Sequence, residues 1–278
     1  MDHILVLGGD RRQETVAKGL AAEGWHIHTY ALGNIPGAVT EADLSAVGQA
    51  DIVVLPMPLT TDGVHLNAST PVPLRDVFDR LTPEQLLFAG RVTPPSQEMA
   101  VAWGLTLLDY ADREELAIAN AVPTAEGAIQ LAREELPVTI HGTPVLVVGY
   151  GRVGSAVARR FAALGAQVTV AARRAEQRAM ARADGMSAVS PEEMGGPCRL
   201  ILNTVPAPIL TRRVLERFAP PCLILDLASH PGGTDRTAAE KLGFSVIHAL
   251  ALPGRVAPET AGAAIKDTLL HMLRELGR

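Results

Sequence analysis

The sequence predicts an α/β protein made of two open parallel sheets, each covered by helices. Three observations carry this expectation. At about 150 residues per domain, a chain of 278 residues makes roughly two domains. Short apolar runs alternate with stretches of helical periodicity along its whole length, the pattern of parallel strands joined by helical crossovers. In each half, a glycine cluster directly follows an apolar run and opens a helical pattern: GGD at 8–10 and GYGRVG at 149–154.

In the first half, strands are predicted at Ile4–Gly9, Trp25–Tyr30, Asp51–Leu55, Leu86–Phe88 and Leu105–Asp109, with a helix over Gln13–Glu23. The segment 56–75 carries Pro56, Pro58, Pro71 and Pro73 and little periodicity, so it reads as a loop. From Asp112 to Leu136, alanines 117, 121, 125, 128 and 132 recur at helical spacing. Pro123 interrupts that stripe, which predicts a kinked or divided connector helix. The first domain, connector included, is thus expected over 1–136.

The second domain is expected over 137–253. Strands are predicted at the run before Gly149, at Gln167–Ala171, Arg199–Asn203, Cys222–Leu227 and Phe244–His248. Helices are predicted over Ser155–Leu164, near Ala175–Ala183 and near Arg213–Phe218. The chain ends in a helix, 258–276. Packing of this tail (254–278) on the first domain is one arrangement open to it, and the sequence does not choose.

Composition excludes several function classes. There are 25 Lys and Arg against 30 Asp and Glu, a formal charge of −5, which argues against bulk electrostatic binding of nucleic acid or anionic membrane. Aromatics are 4%, too few for base-stacking platforms. Two cysteines, Cys198 and Cys222, make neither a disulfide framework nor a four-thiolate zinc site, and both are expected as buried free thiols. No apolar stretch approaches 18 residues, so no membrane span is expected. The start, MDHILVLGGD, reads as a strand rather than a signal peptide, and the expected location is the cytoplasm.

Gly149-Tyr-Gly151-Arg152-Val153-Gly154 stands between a strand and a helix, the context that the dinucleotide fingerprint requires. The first glycine makes the turn, the second admits a pyrophosphate, and the third lets helix pack on strand. The second domain is therefore expected to be a Rossmann dinucleotide-binding domain. At the end of its second strand, Arg173 and Arg174 stand where an acid would hold the ribose of NAD, so NADP is the expected cofactor and NAD the alternative. Asn203, Thr204, Val205 and Pro206, with Asp226 and Ala228, end the following strands and are candidates to meet the nicotinamide half.

Gly8–Gln13 ends the first strand, and Arg11 or Arg12 there is a candidate carboxylate anchor. No metal constellation, GxSxG elbow or P-loop is visible. His248 is the best general acid or base by position, although a lone histidine is more often structural. No catalytic residue is assigned.

Six segments together resemble the A-subunit family of the dipicolinate synthases of spore-forming bacteria: GGDRRQ (8–13), NAVPTAEGAIQLA (120–132), HGTPVLVVGYGRVG (141–154), ILNTVPAPIL (201–210), DLASHPGGTD (226–235) and LPGRVAPETAG (252–262). The glycine loop is shared by many dehydrogenases, whereas the second, fifth and sixth segments are far more specific. The resemblance implies an N-terminal substrate domain beside the NADP domain. It implies oxidation of a dihydrodipicolinate-type intermediate of the lysine pathway to pyridine-2,6-dicarboxylate during sporulation, in the mother cell. It also implies a flavoprotein-like partner, the B subunit of dipicolinate synthase. His248 is not one of its marked positions.

A dianionic substrate calls for cationic anchors, and Arg255 joins Arg11 and Arg12 as a candidate because it lies in a shared segment. Asn120, Thr124 and Glu126 are expected to face the substrate from the connector. A homo-oligomer is expected. Two other readings stay open: a 2-hydroxy-acid or amino-acid dehydrogenase of related architecture, and a non-catalytic NADP-binding protein.

Overall fold

The computed structural model describes residues 3–278 and divides into two compact units. One is the chain up to Ala119 together with Ala257–Arg278; the other is Asn120–Val256. The sequence places the corresponding boundaries at 136 and 253.

The first unit contains β1 (His3–Leu7), α1 (Arg11–Ala22), β2 (His26–Tyr30), β3 (Ala38–Thr40), β4 (Ile52–Val54), α2 (Leu74–Phe78), β5 (Leu86–Ala89), α3 (Pro94–Ala102) and β6 (Leu107–Asp109). All strands are parallel, in the order β3-β2-β1-β4-β5-β6. The period of two explains why β1 reads as one apolar run. Ile4 and Val6 enter the core on one face, and Leu5 and Leu7 enter the core on the other. The terminal helix α10 (Pro258–Glu275) closes the first of these cores with Ile265, Leu269 and Leu273, each worth roughly 1.5–3 kcal/mol when fully buried. Its backbone passes close to α1: a β-carbon on Gly262 would lie 2.5 Å from the Arg12 carbonyl.

The second unit holds β7 (Pro144–Val148), α5 (Arg152–Ala163), β8 (Gln167–Ala171), α6 (Ala175–Ala183), β9 (Ser187–Val189), β10 (Leu200–Asn203), α7 (Arg212–Leu215), β11 (Leu223–Asp226), α8 (Arg236–Lys241), β12 (Ser245–His248) and α9 (Leu252–Val256). Its order, β12-β11-β10-β7-β8-β9, is again fully parallel. In each unit the first strand separates two halves that wind in opposite senses, so the order reverses beside it, at β1/β4 and β7/β10. Ligands of doubly wound sheets bind at that switch, beyond the carboxyl ends of the strands.

The connector is one helix, α4 (Glu114–Glu135), not a divided one. Pro123 lies inside it and removes only the amide that would meet the Ala119 carbonyl. Ala125, Ala128 and Ala132 are fully buried against the β7 face of the second unit, where small side chains let the helix axis sit close to the sheet. Cys222 is buried as expected, whereas Cys198 is partly exposed because it precedes β10 in an irregular segment. Among the described residues, no helix is long and apolar enough to cross a membrane.

Candidate functional site

The glycine loop of the second unit turns at the end of β7. Gly149 has φ +94°, and its amide donates to the Ala171 carbonyl at 2.8 Å, tying the loop to β8. The three glycines have different surroundings. A β-carbon on Gly154 would lie 2.2 Å from the Gly149 carbonyl, and one on Gly149 would lie 2.5 Å from Thr204 Oγ1. These two positions are closed by packing. At Gly151 nothing lies within 4 Å of the added carbon, so this side of the loop is open, as the close approach of a pyrophosphate requires. Gly151 is also the N-cap of α5 and has no side chain to cover the helix terminus, leaving its positive end for an anion. The residues present therefore fit a dinucleotide. Thr204 braces the turn from β10: its hydroxyl and its amide both donate to the Val148 carbonyl, at 2.8 and 2.9 Å.

Tyr150, between the first two glycines, escapes the sequence reading, yet it anchors the loop. Its ring is buried and its hydroxyl donates to Asp184, the C-cap of α6. Arg159 Nε donates to the same carboxylate at 3.0 Å. Burial and the adjacent Asp184 charge push the Tyr150 phenol up to about 12. Those two partners also hold Asp184 below the usual carboxylate range. Gln177 Nε2, on α6, donates to the Tyr150 carbonyl at 3.2 Å. The one sequence signal for this anchor is a tyrosine at a glycine-loop position that needs no hydroxyl for packing.

The same helix begins beside the candidate 2′-phosphate site. Ala171 and Ala172 are buried, and Arg173 and Arg174 are exposed. Arg178 Nη1 donates to the carbonyls of Ala172 and Arg173, both at 2.7 Å, and fixes this backbone. Arg174 lies 3.3 Å from Glu176 in an exposed pair.

The last residues of β10, β11 and β12 fall in register: Asn203 opposite Asp226, and Asp226 opposite His248. Asp226 is 3% exposed, and a buried carboxylate must be compensated by donors. It has four: Asn203 Nδ2 at 2.8 Å, Ala228 N at 3.2 Å, Gly233 N at 2.9 Å and Thr234 N at 3.0 Å. Asn203 spends its remaining groups on Val205, donating to its carbonyl and accepting from its amide, both at 3.1 Å. The side chains of Asn203 and Asp226 thus build the loop rather than point out of it. Gly233 is required there, because a β-carbon would lie 2.4 Å from the Val205 carbonyl.

The switch of the first unit is built differently. Gly9 N donates to the Asn67 carbonyl at 2.6 Å, and Asp10 caps α1 by accepting from Arg12 N at 2.9 Å. The segment around Asn67 and the Asp10 carboxylate therefore occupy the place a phosphate would take. Arg12 is turned inward: its guanidinium donates to Asp10 at 2.8–3.1 Å and to the Met57 carbonyl at 2.5 Å. Burial raises the Asp10 carboxyl, but the Arg12 hydrogen bonds and charge outweigh it, and the net shift is downward. Arg11 is exposed, with Glu259 at 3.7 Å.

Of the connector candidates, Thr124 donates back to the Asn120 carbonyl at 2.7 Å, Asn120 Oδ1 is buried without a hydrogen-bond partner, and Glu126 is exposed. Arg255 is exposed on α9. Among the described residues, no group of three or more His, Cys, Asp and Glu side chains is placed to hold a metal ion.

Loss of the Tyr150 hydroxyl is expected to loosen the glycine loop without unfolding the unit. Tyr150→Phe should raise the dinucleotide Kd about tenfold, the cost of one hydrogen bond to a charged group. Calorimetric titration checks this, and an unchanged Kd would reduce the tyrosine to a packing residue.

Comparison with known proteins places this geometry. Residues 3–111 match the family model for the N-terminal domain of the dipicolinate synthase A subunit. Residues 116–219 match that of the D-isomer specific 2-hydroxyacid dehydrogenase NAD binding domain. Among solved structures, the chain is similar to the dipicolinate synthase A chain from Bacillus subtilis, with a TM-score of 0.89 and 35% identity over 99% of this chain and 96% of that one. It is also similar to the dipicolinate synthase A subunit from Bacillus halodurans, with a TM-score of 0.91 and 32% identity over 98% and 97%. At 36% identity over 98% of its length to the dipicolinate synthase A subunit of Bacillus subtilis (strain 168), covering 96% of that protein, the chain belongs to the dipicolinate synthase A-subunit family.

Proposed function

We propose that this chain is the oxidoreductase component that converts a dihydrodipicolinate-type intermediate of the lysine pathway to dipicolinate, with NADP as hydride acceptor. The observation that carries the reading is the open Gly151 cradle at the α5 terminus, in a chain whose relatives are named as the A subunit of dipicolinate synthase. The relatives' name supports a second, B subunit, and we assign it flavoprotein-like chemistry. The setting we propose is the cytoplasm of the mother cell during sporulation.

The bound dinucleotide supplies a two-electron acceptor. The protein's tasks are to hold it, to hold a dianionic ring beside it and to take up a proton. The α5 terminus and the glycine loop receive the pyrophosphate, and Arg173 with Arg174 receives the 2′-phosphate. The unit that carries them holds more Lys and Arg than Asp and Glu, whereas the other unit holds nearly twice as many acids as bases. A site for phosphates belongs on the former. Val153, Asn203, Thr204, Val205, Pro206, Asp226 and Ala228 serve the cofactor by fixing the loops around it. Asn120, Thr124 and Glu126 are assigned to the substrate side. For the carboxylates we assign Arg11 and Arg255, both exposed; Arg12 is committed to Asp10 and Met57.

The reading is tested by following dipicolinate formation from chemically generated dihydrodipicolinate, with the chain alone and with its flavoprotein-like partner. Turnover dependent on NADP is expected in at least one arm, and its absence in both would overturn the reading. The anchors are tested separately by calorimetry with dipicolinate. Arg11→Lys and Arg255→Lys should each weaken binding about tenfold, because an ammonium cannot copy the planar fork. Unchanged affinity in both removes these arginines from the site.

Cofactor choice gives a further expected outcome. NADP should bind more tightly than NAD, and Arg173→Ala with Arg174→Ala should erase the difference. One charge-assisted contact is worth roughly 1.5–3 kcal/mol, or about 10- to 100-fold. Because Arg174 already faces Glu176, Arg173→Ala alone should cost more than Arg174→Ala alone. Equal affinity of the unmodified chain for the two nucleotides would sink the assignment.

A further inference from the structure

Converting a dihydropyridine to a pyridine removes one hydride and one proton. This inference rests on the reading above, in which the hydride leaves with the dinucleotide; the proton then needs an acceptor on the protein. We propose that the imidazole of His230 is that acceptor and that His248 is the residue that positions it.

The registered row at the carboxyl ends of β10, β11 and β12 narrows the choice. Asn203 takes no proton. Asp226, with four donors on its two oxygens, has no lone pair aimed at a ligand. His248 Nε2 lies 2.9 Å from the Ala228 carbonyl, and a carbonyl only accepts, so Nε2 carries a hydrogen and the ring is fixed. That ring also packs over Gly232, where a β-carbon would lie 3.4 Å from its Cε1.

His230 stands on this platform. Its ring meets that of His248 edge to face, with centroids 4.9 Å apart and planes at 77°, and the residue is exposed. Its loop is held on both sides by one carboxylate: Asp226 takes the Ala228 amide before it and the Gly233 and Thr234 amides after it. An exposed imidazole on fixed backbone thus sits beyond the carboxyl ends of the strands, on the β10–β12 half where the nicotinamide end of a dinucleotide lies in this fold. Imidazole is the side chain best matched to proton transfer near neutral pH. The ionisable side chain whose ring meets it is His248 on β12, while Asp226 on β11 holds the backbone of its loop.

In the step assigned to it, a ring C–H bond breaks and its electron pair leaves as hydride to the nicotinamide. A proton leaves the ring for His230: from C3 of a 2,3-dihydro ring, whose C–H electron pair closes the aromatic sextet, or from nitrogen of a 1,2- or 1,4-dihydro ring, whose N–H pair stays as the pyridine lone pair. The imidazolium then returns its proton to water.

The test uses the full chain with its flavoprotein-like partner. His230→Ala should lower kcat about 10²- to 10⁴-fold, the range for losing a general base, with little change in KM. Added imidazole should restore part of the rate, more basic imidazoles doing so better. His248→Gln should lower kcat less, without rescue. Two binding measurements read the role without turnover. ADP-ribose should bind His230→Ala as it binds wild type. Dipicolinate, titrated in buffers of different ionisation enthalpy, should draw a proton onto wild type and not onto the variant. Wild-type turnover with His230→Ala within twofold, or a loss that imidazole does not rescue while ADP-ribose binding is intact, overturns the assignment alone. No wild-type turnover in either arm overturns the functional reading and this assignment with it.

Discussion

The Asp226 carboxylate constrains everything at the working edge of the second unit. A buried charge without partners costs several kcal/mol, and this one faces no cation in its hydrogen-bond set. It is held instead by an amide side chain and three backbone N–H groups, which only a tightly wrapped loop supplies. That wrapping requires a residue without a side chain at 233, and it knits the loop to the strand-end segment of β10, since Ile209 N and Leu210 N both donate to the Gly233 carbonyl. In the DLASHPGGTD segment the acid, the glycines and the threonine amide are therefore one construction.

The two units share a strand order and differ in what their switch points do. In the second, the α5 terminus is left uncapped by any side chain and Gly151 faces open space. In the first, Asp10 caps α1 and a neighbouring segment consumes the Gly9 amide. A carboxylate in the position of a phosphate, and the Asn67 carbonyl beside it, already take those amides, so no anion docks on them. The sheet order alone thus specifies a crevice, and the residues of the first helical turn decide whether it accepts a phosphate.

Much of the fold was legible because both faces of these sheets are buried. Strands such as VLVV read as continuous apolar runs, and the alanine stripe of α4 marked the face that packs. β3 and β9 were not legible: AVT and SAV are edge strands of three residues, none of them fully buried, with no apolar run to announce them. α2, α3, α8 and α9 escaped as well, since helices of five to nine residues are too short to show a period. At the site, the glycine loop declared itself through its flanks. The fates of Asp10 and Asp226 did not, because whether a carboxylate faces a ligand or its own backbone depends on a loop far along the chain, and no local pattern encodes that.

Arg11 and Arg12 show the same limit most sharply. Adjacent in sequence and equal in charge, they lie about 100° apart around α1. Arg12 falls on the face that meets the sheet, where a guanidinium is tolerated because Asp10 and the Met57 carbonyl take its donors. Its charge is spent cancelling the cap's, so the pair adds no net field. Arg11 falls on the outer face, where its contact with Glu259 is long and both partners are open to water, an arrangement worth little. An exposed cation with a weak partner is cheap to redirect toward a carboxylate, whereas redirecting Arg12 would strand a buried acid and a carbonyl. Of the two, only Arg11 is energetically available to a ligand.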